Sequence, residues 1–298
     1  MSKTDKNLLP HTNRGVRNFP LQSVSSRIDW LTATTQSDDI GLQWLTKYRT
    51  RVDNEGLLQQ EHSFKGFTGM GTDGFTWMYN PTTGWYMVIL SSGIAAQYWR
   101  DIAPKSTNIT RIDLAVTVLG VTPYEELIGD TYSAIDDENK RQRKYALLVS
   151  SDSGATLYVG SRYSMNYGRL YDKGVESGEY KPGNLFRYEV EIKKPASYNV
   201  AMELAHKIRR GEHQESMVLN YVYHWFYTRG VEPVFEADMN YVSPDIQARI
   251  STKDSQLAWL RTSVRPTVQR LLEAGFGKDV VEALELLKYK QLGLFDND

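Results

Sequence analysis

The side chains that could do chemistry are concentrated in two neighbouring segments, GRLYDKG and FRYEVEIKK. Strict alternation in the second segment predicts a half-buried strand with Glu189 and Glu191 side by side on its polar face. The same alternation in the first segment predicts a strand with Arg169, Tyr171 and Lys173 on one face. A phenol would then lie beside an ammonium group. The glycine- and proline-rich residues between the two segments predict a hairpin connection.

Two further predicted strands, RIDWLTAT and TRIDLAVTVLG, carry Asp29 and Asp113 on their non-apolar faces. If these strands are neighbours of the strand with the two glutamates, four carboxylates converge on one site. Oxygen-rich clusters of this kind suit Mg²⁺ or Mn²⁺ and not zinc, and such ions polarise phosphoryl groups. The pattern therefore indicates chemistry on a phosphate ester.

The same residues permit a simpler interpretation, because each carboxylate has a basic residue two positions away on its own strand face. The four pairs are Arg27 with Asp29, Arg111 with Asp113, Arg187 with Glu189, and Lys193 with Glu191. For any one carboxylate alone, a structural ion pair is the favoured interpretation. The recurrence on four positions favours a shared site.

A tyrosine can act as a nucleophile only if its surroundings activate it. A free phenol has a pKa of about 10, so roughly a thousandth of it is ionised at neutral pH. Lys173, Arg169 or a bound metal ion would be needed to make Tyr171 reactive. The five histidines of the chain are scattered and form no motif.

Composition limits the classes of protein that the chain can belong to. The chain has 298 residues and no cysteine, which excludes disulfides, thiolate metal sites and cysteine nucleophiles. It shows no apolar run as long as a membrane span and no signal-peptide core, so a cytoplasmic protein is expected. The formal net charge of −1 argues against a wholly basic nucleic-acid binder. The densest local basic cluster consists of Lys140, Arg141, Arg143 and Lys144, which are candidate phosphate contacts.

Patterning along the chain predicts an α+β fold with a largely antiparallel sheet. Residues 1–24 are expected to be a flexible lead-in, and residues 25–195 a core that carries the active site. Residues 196–298 are expected to be mainly helical, and either to pack on the core or to bind DNA as a separate lobe.

The ordered set of motifs resembles a known family. The run GSRYSMNYGRLYDKGVE followed by NLFRYEVEIKK is similar to the signature of the replication initiation factors of rolling-circle plasmids, filamentous phages and some integrative elements. In that family a strand like RIDLAV precedes a glycine-serine-arginine turn and then the two motif strands, in the order seen here. Similar segments near both ends extend the resemblance over about residues 27–275.

The resemblance implies a metal-dependent origin-nicking enzyme. Its tyrosine would attack a DNA phosphodiester, keep the 5′-phosphate and free a 3′-hydroxyl for a polymerase. The implied cofactor is Mg²⁺ or Mn²⁺. The implied partners are origin DNA that is single-stranded, melted or in a hairpin at the nick, together with a host helicase and polymerase. The protein would act as a monomer or dimer, and a conjugative relaxase role is equally compatible with the motifs.

Roles carry over from the family motifs residue by residue. Tyr171 is the candidate nucleophile, flanked by Arg169 and Lys173, and Tyr167 is a second candidate for the attacking residue. Arg162 is a candidate DNA contact. The metal-ligand candidates are Asp113, Glu189 and Glu191, with Asp29 from the first strand. The family strand often carries a second aspartate where this chain has Thr117, which leaves the ligand assignment around Asp113 open.

Two alternatives remain open at this stage. Asp113 with Glu191, Ile192 and Lys193 matches an Asp…Glu-x-Lys pattern, which would make the protein a metal-dependent hydrolase that forms no covalent adduct. A non-catalytic origin-binding protein would instead use the carboxylates only in ion pairs, and would bind DNA in a salt-sensitive way without metal.

Overall fold

Alternating apolar residues build one large antiparallel sheet in this protein. The computed structural model describes residues 21–120, 127–135, 144–150, 154–178, 184–238, 241 and 265–283. The strands are β1 (Leu21–Thr35), β2 (Gln60–Phe64), β3 (Phe67–Thr72), β4 (Phe75–Asn80), β5 (Trp85–Ser91), β6 (Asn108–Gly120), β7 (Tyr145–Ser150), β8 (Gly154–Val159), β9 (Asn166–Asp172) and β10 (Leu185–Lys193). They form a ten-stranded sheet in the order β2-β3-β4-β5-β1-β6-β10-β9-β8-β7. The α+β prediction with a large antiparallel sheet is therefore confirmed.

Eight α-helices are seen in the described part of the chain. Their bounds are α1 (Asp38–Glu55), α2 (Ser92–Ile102), α3 (Leu127–Ala134), α4 (Lys173–Ser177), α5 (Ala196–Arg209), α6 (Gln214–Tyr227), α7 (Arg265–Glu273) and α8 (Gly277–Ala283). Ser37 caps α1, because its hydroxyl accepts a hydrogen bond from the Ile40 amide. None of the helices in the described part of the chain is long and apolar enough to cross a membrane.

One face of the central strands forms the core. Strand period 2 puts Leu114 of β6 and Val190 of β10 opposite each other on this face, and both are buried. Helices α2, α5 and α6 pack against it, and Phe226 of α6 meets the Tyr188 ring edge-on at 5.3 Å. Burial of these large side chains supplies the hydrophobic stabilisation of the sheet. The helices thus occupy one face, and the charged residues of the central strands are left on the other.

The predicted lead-in over residues 1–24 ends earlier than expected. Strand β1 begins at Leu21, while residues 1–20 of the predicted lead-in lie outside the described residues. Helices α5 and α6 belong to the same compact unit as the sheet. Helices α7 and α8 belong to a second unit, which begins at residue 247. The predicted domain boundary at residue 195 stays a prediction.

Candidate active site

Three adjacent strands bring the predicted carboxylates and tyrosines to one face of the sheet. Asp113 of β6 lies directly opposite Glu191 of β10, which in turn lies opposite Tyr167 of β9. Two residues along β10, Glu189 lies opposite Arg169. Side chains alternate between the two faces of a strand, and all these positions fall on the same face. Their side chains therefore project from the face that the helices do not cover.

Tyr171 and Arg169 share one carboxylate. The Tyr171 hydroxyl donates to Oε2 of Glu189 at 3.1 Å, and the Arg169 guanidinium donates to Oε1 of the same group. Burial, together with the Glu189 charge, raises the pKa of the half-buried Tyr171 phenol well above its usual range, and Arg187 opposes this rise. The phenol is therefore protonated at neutral pH, with a proton acceptor already in contact.

Arg111 bridges the other two carboxylates. Its guanidinium donates to both oxygens of Asp113, at 2.8 and 2.5 Å, and lies 3.0 Å from Oε2 of Glu191. The same guanidinium stacks on the Trp30 ring, 4.6 Å from its centroid. Burial raises the pKa of Asp113 to about 7; Arg111 opposes the rise, and the nearby Glu189 and Glu191 charges add to it. Arg111 thus places its positive charge between the carboxyl groups of Asp113 and Glu191.

Asp29 belongs to a neighbouring ion-pair group. The register of β1 against β6 shifts between Ile28 and Trp30, where Asp29 lies, and Arg187 of β10 reaches across β6 to the Asp29 carboxylate at 3.0 Å. Arg187 also donates to the Thr117 hydroxyl at 3.0 Å. Thr117 therefore serves as an acceptor for a buried arginine.

The simple ion-pair interpretation is correct for three of the four pairs and wrong for one. Asp29, Asp113 and Glu191 each contact the predicted basic residue of their own strand. Glu189 pairs instead with Arg169 of β9, and Arg187 pairs with Asp29. The pairing across strands is decided by the sheet register, which a local pattern does not contain.

The predicted place of Lys173 is wrong. Strand β9 ends at Asp172, whose carboxylate accepts a hydrogen bond from the Val175 amide at 3.0 Å and so caps α4. Lys173 is the first residue of that helix, and its ammonium pairs with Glu176. It therefore does not extend the Tyr171 face of β9.

Tyr167 is less accessible than Tyr171. It is buried, and its ring stacks on Tyr158 of β8 at 5.8 Å between centroids. Burial and Tyr158 raise the pKa of its phenol, whereas Arg169 and Arg162 lower it, and Arg162 also hydrogen-bonds to it. Tyr167 lies on the same face as Tyr171 but behind a second aromatic ring.

Only two of the five predicted DNA-contact residues, Arg162 and Lys144, lie in the part of the chain that the structure describes. Arg162 is exposed in the loop between β8 and β9, and Lys144 is exposed just before β7. Lys140, Arg141 and Arg143 lie outside the described residues.

Sequence reasoning missed two residues of this face. Arg111 was seen only as the partner of Asp113, although it also contacts Glu191. Tyr158 was not singled out, and its alternation within TLYVG was the available signal.

The fit of a metal ion can be tested on these contacts. Three neighbouring carboxylates are the donor chemistry that Mg²⁺ or Mn²⁺ prefers. In this arrangement, however, each of them is already paired with an arginine or lysine. Among the described residues, no group of three acidic or histidine side chains is placed to hold one ion. The side chains as arranged fit internal ion pairing and not a preformed metal centre.

The raised pKa of Asp113 predicts a specific pH dependence of stability. The carboxyl holds its proton up to about pH 7 in the folded state but only to about pH 4 when unfolded. The folded state thus binds more protons at Asp113 between these values, so the Asp113 contribution to the free energy of unfolding should fall as pH rises from 4 to 7 and then level off. Asp113→Asn should remove this component, which is on the order of a few kcal/mol.

Urea unfolding at pH 5 and pH 8 checks this prediction. Asp101→Asn, which alters an exposed pair with Lys47, is the matched control and should keep the wild-type dependence. An unchanged pH dependence in Asp113→Asn would contradict the assignment.

Fold and site together define the class: an α+β protein whose antiparallel sheet presents a hydrogen-bonded tyrosine among carboxylates and arginines. A family model described as replication initiation factor matches residues 107–284, which is more than half of the chain. The chain belongs to the replication initiation factor family, as its motifs predicted.

Comparison with solved structures finds similar folds, of which one is described here. The structure of a rolling circle replication initiator protein from Geobacillus stearothermophilus is similar, with 15% sequence identity and a TM-score of 0.46. The match covers 62% of this chain and 80% of that one. No curated protein matches the chain.

Proposed function

We propose that this protein initiates rolling-circle replication by nicking one strand of origin DNA with Tyr171, which becomes linked to the 5′-phosphate and leaves a free 3′-hydroxyl. Membership of the replication initiation factor family supports the initiator role. The observation that carries the chemistry is the hydrogen bond from the Tyr171 hydroxyl to Glu189. It joins a nucleophile to a proton acceptor within one rigid sheet.

Glu189 is the proposed general base. The raised pKa of Tyr171 means that attack requires transfer of the phenolic proton, and Oε2 of Glu189 accepts that hydrogen bond at 3.1 Å. As the phenolic oxygen bonds to phosphorus, the bond from phosphorus to the 3′-oxygen breaks. That oxygen leaves with a proton from solvent. Arg169, on the other oxygen of Glu189, fixes the carboxylate and adds positive charge near the phosphate.

The neighbouring basic residues are proposed DNA contacts. Arg162 is exposed near the start of β9. Lys173 lies just after the end of β9, and its ammonium would leave Glu176 to bind a DNA phosphate. Lys140, Arg141, Arg143 and Lys144 are proposed as a further backbone contact. Origin DNA is the proposed substrate, melted or single-stranded at the nick, and a host helicase and polymerase would act on the product.

Mg²⁺ or Mn²⁺ is a further proposal. Asp113 and Glu191 would hold the ion in place of Arg111, with Asp29 as an outer acceptor. Glu189 would be a ligand only when its oxygens are not engaged by Tyr171 and Arg169. The ion would supply charge neutralisation at the scissile phosphate.

The direct test is covalent capture. The protein is incubated with Mg²⁺ or Mn²⁺ and end-labelled single-stranded oligonucleotides that tile its own replicon, and adducts are resolved on a denaturing gel. A labelled protein band is the expected result. Binding without cleavage or adduct at any oligonucleotide, with the origin included, would contradict both enzymatic proposals and favour a non-catalytic origin-binding protein.

One observation favours a second candidate, a hydrolase that forms no adduct. Asp113 and Glu191 are direct register partners, and the Lys193 ammonium lies 2.9 Å from Oε1 of Glu191, so the Asp…Glu-x-Lys set is assembled. This candidate requires cleavage without a labelled protein band. It also requires that cleavage persist when Tyr171 is replaced by Phe.

Competition between Arg111 and a metal ion gives a testable prediction. Arg111→Ala should strengthen Mn²⁺ binding by about tenfold, because it removes the cation that now neutralises Asp113 and Glu191. Isothermal titration with Mn²⁺ measures the change without any need for activity. Arg27→Ala, which removes a cation from Asp29 only, is the matched control. Equal affinities in wild type and Arg111→Ala would contradict a metal site at these carboxylates.

A further inference from the structure

Tyr163 stands out because nothing in the described structure covers it. Its side chain is 99% exposed, in the loop that joins β8 to β9. Met165, in the same loop, is 40% exposed. An aromatic ring left wholly in water contributes little to folding, whereas its free face can stack on an unpaired base.

Hydrogen bonds fix the backbone of this loop. The Ser164 hydroxyl donates to the Ser161 carbonyl at 2.6 Å. The Lys193 amide donates to the Met165 carbonyl at 2.7 Å, and the Lys193 ammonium donates to the Arg162 carbonyl. A ring presented from an anchored backbone loses less conformational entropy on binding than a ring on a loose loop.

The loop carries a positive charge at Arg162, and the acidic residue of the two flanking strands, Asp172, is buried at the far end of β9. Between residues 154 and 171 the sequence contains two arginines and no acidic residue. Arg162 is next to Tyr163 and exposed. This charge suits the phosphate backbone of a single strand, while the aromatic rings suit its bases.

Strand β9 connects this loop to the proposed nucleophile. Tyr171 and Tyr167 are four residues apart on one face, which corresponds to about 13 Å along the strand. Between them lies Arg169, and beside Tyr167 lies the half-buried ring of Tyr158, stacked on it. A DNA strand that runs from Tyr171 along β9 therefore crosses an arginine, passes the tyrosine pair and reaches Tyr163.

We propose that Tyr163, with Arg162 and the outer face of Tyr158, forms a stacking subsite for an unpaired base of the DNA strand, several nucleotides from the nicked phosphate. The proposal rests on the proposed function for its substrate and deepens it. Single-stranded DNA is the occupant because the ring, the flanking arginine and the continuity with the Tyr171 face occur together. The subsite would hold the strand in register before attack.

Binding in the absence of chemistry tests the subsite separately from nicking. Affinity for fluorescently labelled oligothymidylate is measured by anisotropy, in a Tyr171→Phe background that cannot form an adduct. Tyr163→Ala should weaken binding by about 5- to 150-fold, the range for loss of one base–aromatic stack, and Tyr163→Trp should retain it. Phe64→Ala, at a 50% exposed aromatic that ends β2 at the far edge of the sheet, is the control.

The outcomes separate this subsite from the nicking proposal. A loss specific to Tyr163→Ala, with rescue by Trp, supports the subsite even if no adduct ever forms. Affinity equal to that of the background protein, or the same loss in Phe64→Ala, overturns it. If nicking is found, single abasic sites are placed in turn along the origin strand. Tyr163→Ala should then weaken binding at every position of the abasic site except one, several nucleotides from the nick, where the base that stacks on Tyr163 is already missing. Loss of the effect at the base next to the nick would overturn the placement.

Discussion

Tyr171→Phe is expected to abolish the covalent protein–DNA adduct and to lower the nicking rate by at least about 10³-fold. The substitution removes the phenolic oxygen that would bond to phosphorus. The substitution removes one hydroxyl, and Glu189 keeps its contact with Arg169. Folding should therefore be little changed. Single-turnover nicking of a labelled origin oligonucleotide, with adducts counted on a denaturing gel, gives both quantities.

Tyr167→Phe is the matched control for this experiment. Both tyrosines lie on the same face of β9, but Tyr167 is buried under Tyr158 and touches Arg162, whereas Tyr171 contacts the proposed base. Tyr167→Phe should form the adduct at close to the wild-type rate. An adduct that persists in Tyr171→Phe and disappears in Tyr167→Phe would reverse the assignment.

Glu189→Gln is expected to reduce the nicking rate by about 10²- to 10⁴-fold, the usual contribution of a positioned general base. The amide keeps the shape of the side chain but cannot take up the Tyr171 proton. It also leaves the Arg169 guanidinium without its ion-pair partner, so a loss of a few kcal/mol in stability should accompany the loss of rate. Rate and thermal unfolding must therefore be measured on the same preparations.

Two comparisons separate chemistry from stability in Glu189→Gln. Glu203→Gln, which breaks a surface pair within α5, should leave the rate unchanged. Raising the pH should partly restore nicking in Glu189→Gln, because hydroxide can then remove the phenolic proton. A wild-type rate in a folded Glu189→Gln protein would show that Glu189 does not act as the base, and the proton would have to leave by another route.

The proposals share one physical arrangement, a layer of buried carboxylates beneath partly exposed arginines. Glu189 and Asp113 are almost fully buried, whereas Arg111 and Arg169 are about a quarter to a third exposed. A phosphate that approaches this face meets cations first. It can draw the guanidinium groups toward itself, which would free carboxylate oxygens for the tyrosine proton or for a metal ion.

Much of this protein was determined by the sequence alone. Period-2 alternation around Asp113, Tyr171 and Glu189 was sufficient to predict three strands and the face that each residue occupies. The order of the motifs identified the family, which the family model confirms. These features are local, because alternation and motif order are written in neighbouring residues.

Tertiary structure alone decided which charged groups meet. The register of β10 between β6 and β9 places Asp113 opposite Glu191. It also places Glu189 in contact with Arg169 and Tyr171, although Arg187 is closer to Glu189 in sequence. Strand β9 ends at Asp172 because that side chain caps a helix, and this removes Lys173 from the tyrosine face. Such pairings depend on hydrogen-bonded partners distant in the chain, since a shift of one residue in register would turn every side chain to the other face.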